Sequence, residues 1–121
     1  MVVLTVPANE IELLRRVYDA FNRREIETVL AVMDPDVDWP NGMEGGRVAG
    51  KSAVRAYWTR QFETLNPRVE PRGFHAEADG RVAIDVHQVV HDVQGNLLVN
   101  HVIQHVYKIR DGLIVSMEIR D

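Results

Sequence analysis

The hydrophobic period of this chain changes once, near Asn66-Pro67, and that change limits the folds open to it. Before it, apolar residues recur every three or four positions. After it they alternate, in segments broken by Asp79-Gly80, Gln94-Gly95-Asn96 and Asp111-Gly112. The first pattern is that of helices with one apolar stripe, the second that of strands joined by tight turns. Asn9 is placed to cap a helix carrying Ile11, Leu14, Val17, Tyr18 and Phe21, with Glu10 and Glu12 near its positive end. A short second helix, Ile26 to Met33, stops at Asp34-Pro35. Asp36 to Trp39 then reads as a brief strand and the glycine-rich run to Gly50 as a loop. Lys51 to Leu65 returns to helical spacing, with Val54, Tyr57, Trp58, Gln61, Phe62 and Leu65 along one side, and Asn66-Pro67 ends it. Four strands follow, Val69 to Ala78, Arg81 to Val93, Leu97 to Ile109 and Leu113 to Arg120. Three N-terminal helices before an antiparallel meander predict an α+β domain, its helices covering one face of a curved sheet with a pocket between the layers. With 121 residues, 45% of them hydrophobic, and no internal repeat or linker, residues 1–121 are expected to form a single domain.

Charge and composition exclude several classes of function. The net charge of -4 and the interleaving of Arg15, Arg16, Arg23 and Arg24 with acids give no pull toward nucleic acid or an anionic membrane surface. Cysteine is absent, which rules out disulfides, thiol catalysis and cysteine-ligated zinc. The start, MVVLTVPANE, lacks the basic and apolar regions of a leader, and no segment approaches the ~18 apolar residues of a membrane span. A soluble cytoplasmic protein is expected.

The candidate chemistry lies in the strands. His101 and His105 share parity with Ile103, Tyr107 and Ile109, which places imidazoles on the apolar side of a strand. A two-residue turn around Gly95 pairs even-numbered residues of one strand with odd-numbered residues of the next. Val82, Ile84, Val86, Gln88 and Val90 would then share a face with His101, Ile103, His105 and Tyr107, whereas Asp85, His87, Val89 and His91 would lie opposite, with Val102 and Gln104. A three-residue turn would reverse one strand. The spacings His87 to His91 and His101 to His105 suggest a metal site only on helices; along a strand such residues stand roughly 13 Å apart. No metal is expected, and no phosphate loop or nucleophile elbow implies a cofactor.

The helices, the stretch DPDVDWPNG, the glycine closing the loop before KSAVRAYW and the terminal RDGLIVSMEIRD together resemble a SnoaL-like, ketosteroid isomerase-like member of the nuclear transport factor 2-like superfamily. The resemblance implies a cone-shaped α+β fold. Its members include isomerases, polyketide cyclases, epoxide hydrolases, dehydratases and noncatalytic binders. Ketosteroid isomerases use a tyrosine and a protonated aspartate as oxyanion donors and a second aspartate as base. At these positions the resemblance puts Val17, with Tyr18 one residue on; His105; and Trp39, with Asp38 one residue before. Tyr57 and Gln61 match wall positions of the family's pocket.

His105 is therefore the leading acid/base or oxyanion donor, with His101, Tyr107 or Gln88 orienting it, and His101, nearer the hairpin end, is the second catalytic candidate. Tyr18, Trp39, Tyr57, Trp58, Gln61, Phe62, Gln88, Tyr107 and Met117 are candidate substrate-binding residues for a small hydrophobic ligand. Asp38 points away from the pocket if Trp39 points in. Asp121 shares parity with Val115, Met117 and Ile119 but ends the chain. His87 and His91, with Asp85, Val89, Val102 and Val106, form a mixed outer face suited to a homodimer, and His75 has no supporting constellation. The leading expectation is cofactor-free proton transfer on a carbonyl, lactone or epoxide compound. The alternatives are a noncatalytic binder of hydrophobic ligands and a module that docks a protein through the outer sheet.

Overall fold

A computed structural model of the chain describes residues 4–121; residues 1–3, where the stretch read above for a leader begins, lie outside them. Helix α1 spans Ala8–Asn22, α2 Ile26–Leu30 and α3 Lys51–Thr64, and the strands are β1 Met33–Pro40, β2 Arg47–Ala49, β3 Leu65–Ala76, β4 Val82–Asp92, β5 Leu97–Arg110 and β6 Leu113–Arg120. Among the described residues no helix is long and apolar enough to cross a membrane. The strands form one six-stranded curved sheet in the order β2-β1-β6-β5-β4-β3, and the helices pack on its inner face. Leu14 and Tyr18 of α1, Val29 and Leu30 of α2, and Val54 and Trp58 of α3 are buried against Val37, Ile84, Val86, Ile114 and Met117 of the strands.

Several sequence expectations are corrected. Asn9 does not cap α1: the helix begins at Ala8, and the carbonyl of Pro7 accepts the first amides, from Glu10 and Ile11. α2 ends at Leu30, because Met33 is already strand. Nor does Asn66-Pro67 end α3 as loop; both residues lie in β3, whose place at the sheet edge tolerates a proline without an N–H. The glycine-rich run contains β2, paired antiparallel with β1. Gly50 closes it at φ 88°, in the left-handed region that favours glycine, and its N–H donates to the Val37 carbonyl.

The sheet is not a pure meander either. β1 runs parallel to β6, with Met33 opposite Ile114 and the Ile114 N–H donating to the Val32 carbonyl at 2.8 Å. No hairpin joins these two strands, so turn geometry imposes no antiparallel sense on them. On β6 the register shifts at Val115, and Ile114 rather than Val115 fills the core.

The β4–β5 hairpin decides the site. Its turn has three residues, Val93, Gln94 and Gly95, between the hydrogen-bonded Asp92 and Asn96, and the Asp92 carboxylate accepts the N–H groups of Gln94 and Asn96 at 2.9 Å each. That turn alone would reverse the facing. A β-bulge at Leu98 restores it, since His91 opposes Leu97 while Val90 opposes Val99. From there Gln88 pairs with His101, Val86 with Ile103, Ile84 with His105 and Val82 with Tyr107, the facing expected from sequence.

Candidate functional site

Between the helices and the inner sheet face lies a cavity of about 380 Å³. Tyr18 and Val17 of α1, Trp39 of β1, Tyr57, Trp58 and Gln61 of α3, and Gln88, His101, Ile103, His105, Tyr107 and Met117 of the later strands line it. The buried end is aromatic: Trp39 meets Trp58 edge-on at a centroid distance of 5.5 Å and Tyr107 at 6.2 Å. Met43, Leu98, Ile119 and Asp121 form part of the exposed rim. Leu98 stands beside Val99 there because of the bulge. Phe62 does not reach the cavity; it packs on Phe21 and beneath the Arg24 guanidinium, 4.5 Å above its ring.

His105 is one of two buried polar residues among those described, at 6% exposure. Its Nδ1 lies 2.8 Å from the Tyr18 hydroxyl, and the Tyr107 hydroxyl donates to Tyr18 at 3.0 Å. Burial pushes the imidazole down to about 4, so the ring is neutral near pH 7. Burial also raises both tyrosines, Tyr18 further through the adjacent Tyr107, so both keep their protons. One arrangement gives both hydroxyl protons an acceptor within the protein. Tyr107 donates to Tyr18, Tyr18 donates to Nδ1, and the neutral ring carries its own proton on Nε2. Nε2 has no protein partner among the described residues. No fully buried side-chain nitrogen or oxygen lacks a hydrogen bond there, so Nε2 retains access and presents an N–H donor to the cavity.

His101 stands differently. It is exposed at the rim, and its Nε2 lies 2.8 Å from Gln88 Oε1. Nε2 is the donor in that bond, and in the neutral form of the ring Nδ1 is then the acceptor. The expectation that Gln88 or Tyr107 orients His105 directly is corrected: Gln88 belongs to His101, and Tyr107 acts through Tyr18. Asp38 points outward and pairs with Arg47 at 2.7 Å, and among the described residues no carboxylate lines the buried end. On the outer face His87 sits between Arg72 at 3.0 Å and Asn100 at 2.7 Å. His75, for which the sequence offered no constellation, is exposed and meets Asp85 at 2.7 Å, and Asp85 accepts from Gln104 at 2.9 Å. Hydrogen bonds to Gln104 and His75 hold the Asp85 carboxyl below its ordinary range.

Fold and site define a class of protein, an α+β cone around an apolar cavity with one buried imidazole donor. The model of the SnoaL-like domain matches residues 14–117, and the chain belongs to that family. It is similar in structure to an NTF2-like protein of unknown function from Burkholderia pseudomallei K96243, with 28% identity, a TM-score of 0.81 and coverage of 95% of this chain and 92% of the other. It is similar also to TerC, co-crystallised with polyporic acid, at 30% identity, TM-score 0.80 and coverage of 94% and 92%. A putative polyketide cyclase from Xanthomonas campestris pv. campestris shares the fold at 23% identity, TM-score 0.77 and coverage of 95% and 91%. Among curated proteins, none matches.

Proposed function

We propose that this protein is a cofactor-free proton-transfer enzyme for a small, largely apolar carbonyl, lactone or epoxide compound. The observation that carries this reading is buried His105 in the lining of an apolar cavity, its Nδ1 2.8 Å from the Tyr18 hydroxyl, from which we infer a neutral ring with its proton on Nε2. A neutral imidazole in that position donates to a substrate oxygen as negative charge develops on it, where low polarity strengthens the interaction. Tyr18 is a positioning residue, since it keeps the proton on the nitrogen that faces substrate. His101, with Nδ1 free as an acceptor at the rim, is the candidate base. Trp39, Trp58 and Met117 supply an apolar wall. The similarity to TerC, whose structure holds polyporic acid, supports a small organic ligand.

A second reading, a noncatalytic binder of hydrophobic ligands, is favoured by the absence of a carboxylate from the buried end, where Trp39 stands at the position the resemblance gives to a base. His105→Gln separates the two. The enzyme reading expects turnover on whichever panel compound reacts to fall by about 10²-fold or more with Kd within a few-fold. Equal loss of rate and affinity leaves a binder. A second copy of the chain as partner is supported by the outer face, where among the described residues no helix packs and Val102 is 63% exposed.

A further inference from the structure

The cavity has a second polar locus, on α3. The Tyr57 hydroxyl oxygen accepts the Met43 N–H at 3.2 Å and Gln61 Nε2–H at 3.3 Å. A phenolic oxygen has two lone pairs and one proton, so with both lone pairs used the proton must be directed elsewhere. The Gly42 backbone N–H also bonds this oxygen, and with the Gln61 amide turned so that Nε2 donates, no acceptor among the described residues receives the proton. Burial holds this hydroxyl above its ordinary value, so the proton stays in place near pH 7. Tyr57 and Gln61 line the cavity, and a side chain begun at Gly42 would lie 4.0 Å from the hydroxyl and 3.7 Å from Ile119. Gly42 and Ile119 are exposed, so this hydroxyl stands near the mouth, whereas His105 lies at the buried end.

We propose that Tyr57 is a second hydrogen-bond donor to the ligand, so that the cone selects apolar ring compounds with an oxygen acceptor at each end. One oxygen rests on His105 Nε2–H and the other on Tyr57 O–H, with the aromatic wall of Trp39 and Trp58 against the rings between. This inference rests on reading the cone as a small-molecule site and adds the ligand class that the site takes. Met43 and Gln61 are positioning residues in it, because their bonds turn the Tyr57 proton inward.

The test measures affinities by calorimetry for two matched pairs, 2,3-dihydronaphthalene-1,4-dione with 1-tetralone and 4,4′-dihydroxybiphenyl with 4-phenylphenol. Each pair differs by one oxygen, and the pairs differ in the reach between oxygens. In at least one pair the two-oxygen compound is expected to bind roughly five- to tenfold tighter, the factor that one net hydrogen bond supplies. Tyr57→Phe removes one of the two donors and should bring that ratio close to one. Ratios near one in the unaltered protein, or a Tyr57→Phe loss shared by both members of a pair, overturn the inference. If the variant does not fold, the unaltered protein decides by NMR. The Met43 amide and the Gln61 side-chain amide should shift with the two-oxygen compound alone, and equal shifts with both overturn it. Binding of none of the four compounds overturns the reading of the cone as a small-molecule site, and this inference with it.

Discussion

The neutral state of His105 has a consequence for stability that can be read as a slope against pH. In the unfolded chain the imidazole titrates at its ordinary value of 6.5; in the fold, desolvation brings it to about 4. Between these values the unfolded chain binds a proton that the folded one refuses, so acid favours unfolding. The contribution of this group is fully present above pH 6.5 and is lost as pH falls through the interval toward 4. At 1.36 kcal/mol per unit the loss amounts to about 3 kcal/mol, large beside the ~5–15 kcal/mol total of a domain this size. His105→Gln removes the titration and keeps a side chain able to bond Tyr18. Urea unfolding followed by the fluorescence of buried Trp39 and Trp58, at several pH values from 7.5 to 4, gives the stability of each protein. The carboxylates act equally on both, so the difference between the two curves isolates His105. Wild type should lose about 1 kcal/mol per pH unit more than the variant across the middle of the window. Parallel curves would refute the reasoning, since they require an imidazole as well solvated in the fold as outside it. A difference of opposite sign would show a cation stabilised by a partner absent from this geometry.

Tyr18→Phe removes the donor to His105 Nδ1 and the acceptor of the Tyr107 proton, leaving two buried polar groups unpaired, and should cost about 2–4 kcal/mol by the same unfolding measurement. Imidazole nitrogen chemical shifts should show His105 moving from the single Nε2–H tautomer to a mixture of tautomers; an unchanged tautomer would mean that Tyr18 does not set it. If two copies pair through the outer face as proposed, Val102→Glu puts a charge in that interface, and sedimentation equilibrium should move from dimer toward monomer. A mass equal to that of wild type would remove this face as the interface.

Periodicity made the layers legible. Leu14, Val17 and Tyr18 on α1, and Val54, Tyr57 and Trp58 on α3, recur at helical spacing because each helix buries one stripe, and all six are buried. What periodicity does not carry is the sense of a strand far along the chain from its neighbour. β1 lies parallel to β6, a neighbour far along the chain to which no hairpin joins it, and no local residue pattern encodes that. Phe62 shows a related limit. It shares a stripe with Tyr57 and Trp58, but Arg24, whose backbone takes φ 64° after α1, lays its guanidinium over the ring and ties it to Phe21 at the side of the cavity.

The site was legible on one strand and opaque across layers. Alternation separates His105 and Tyr107 from Gln104 and Val106, and the facing held because the bulge at Leu98 cancels the extra residue of the turn. Two local departures thus compensate, and the need to bury Val82, Ile84 and Val86 selects the pair of them. Tyr18 and His105 stand 87 residues apart in the chain and meet only when α1 docks on the sheet. A helix turns about 100° per residue, so a position inferred by resemblance and displaced by one points to a different neighbour. Val17 and Tyr18 both line the cavity, yet only Tyr18 reaches Nδ1. The chemistry of the buried end is therefore a property of how α1 is rotated on its own axis. Leu14, fully buried one turn before Tyr18, is among the side chains that hold that rotation, which couples packing of the core to the nitrogen on which His105 carries its proton.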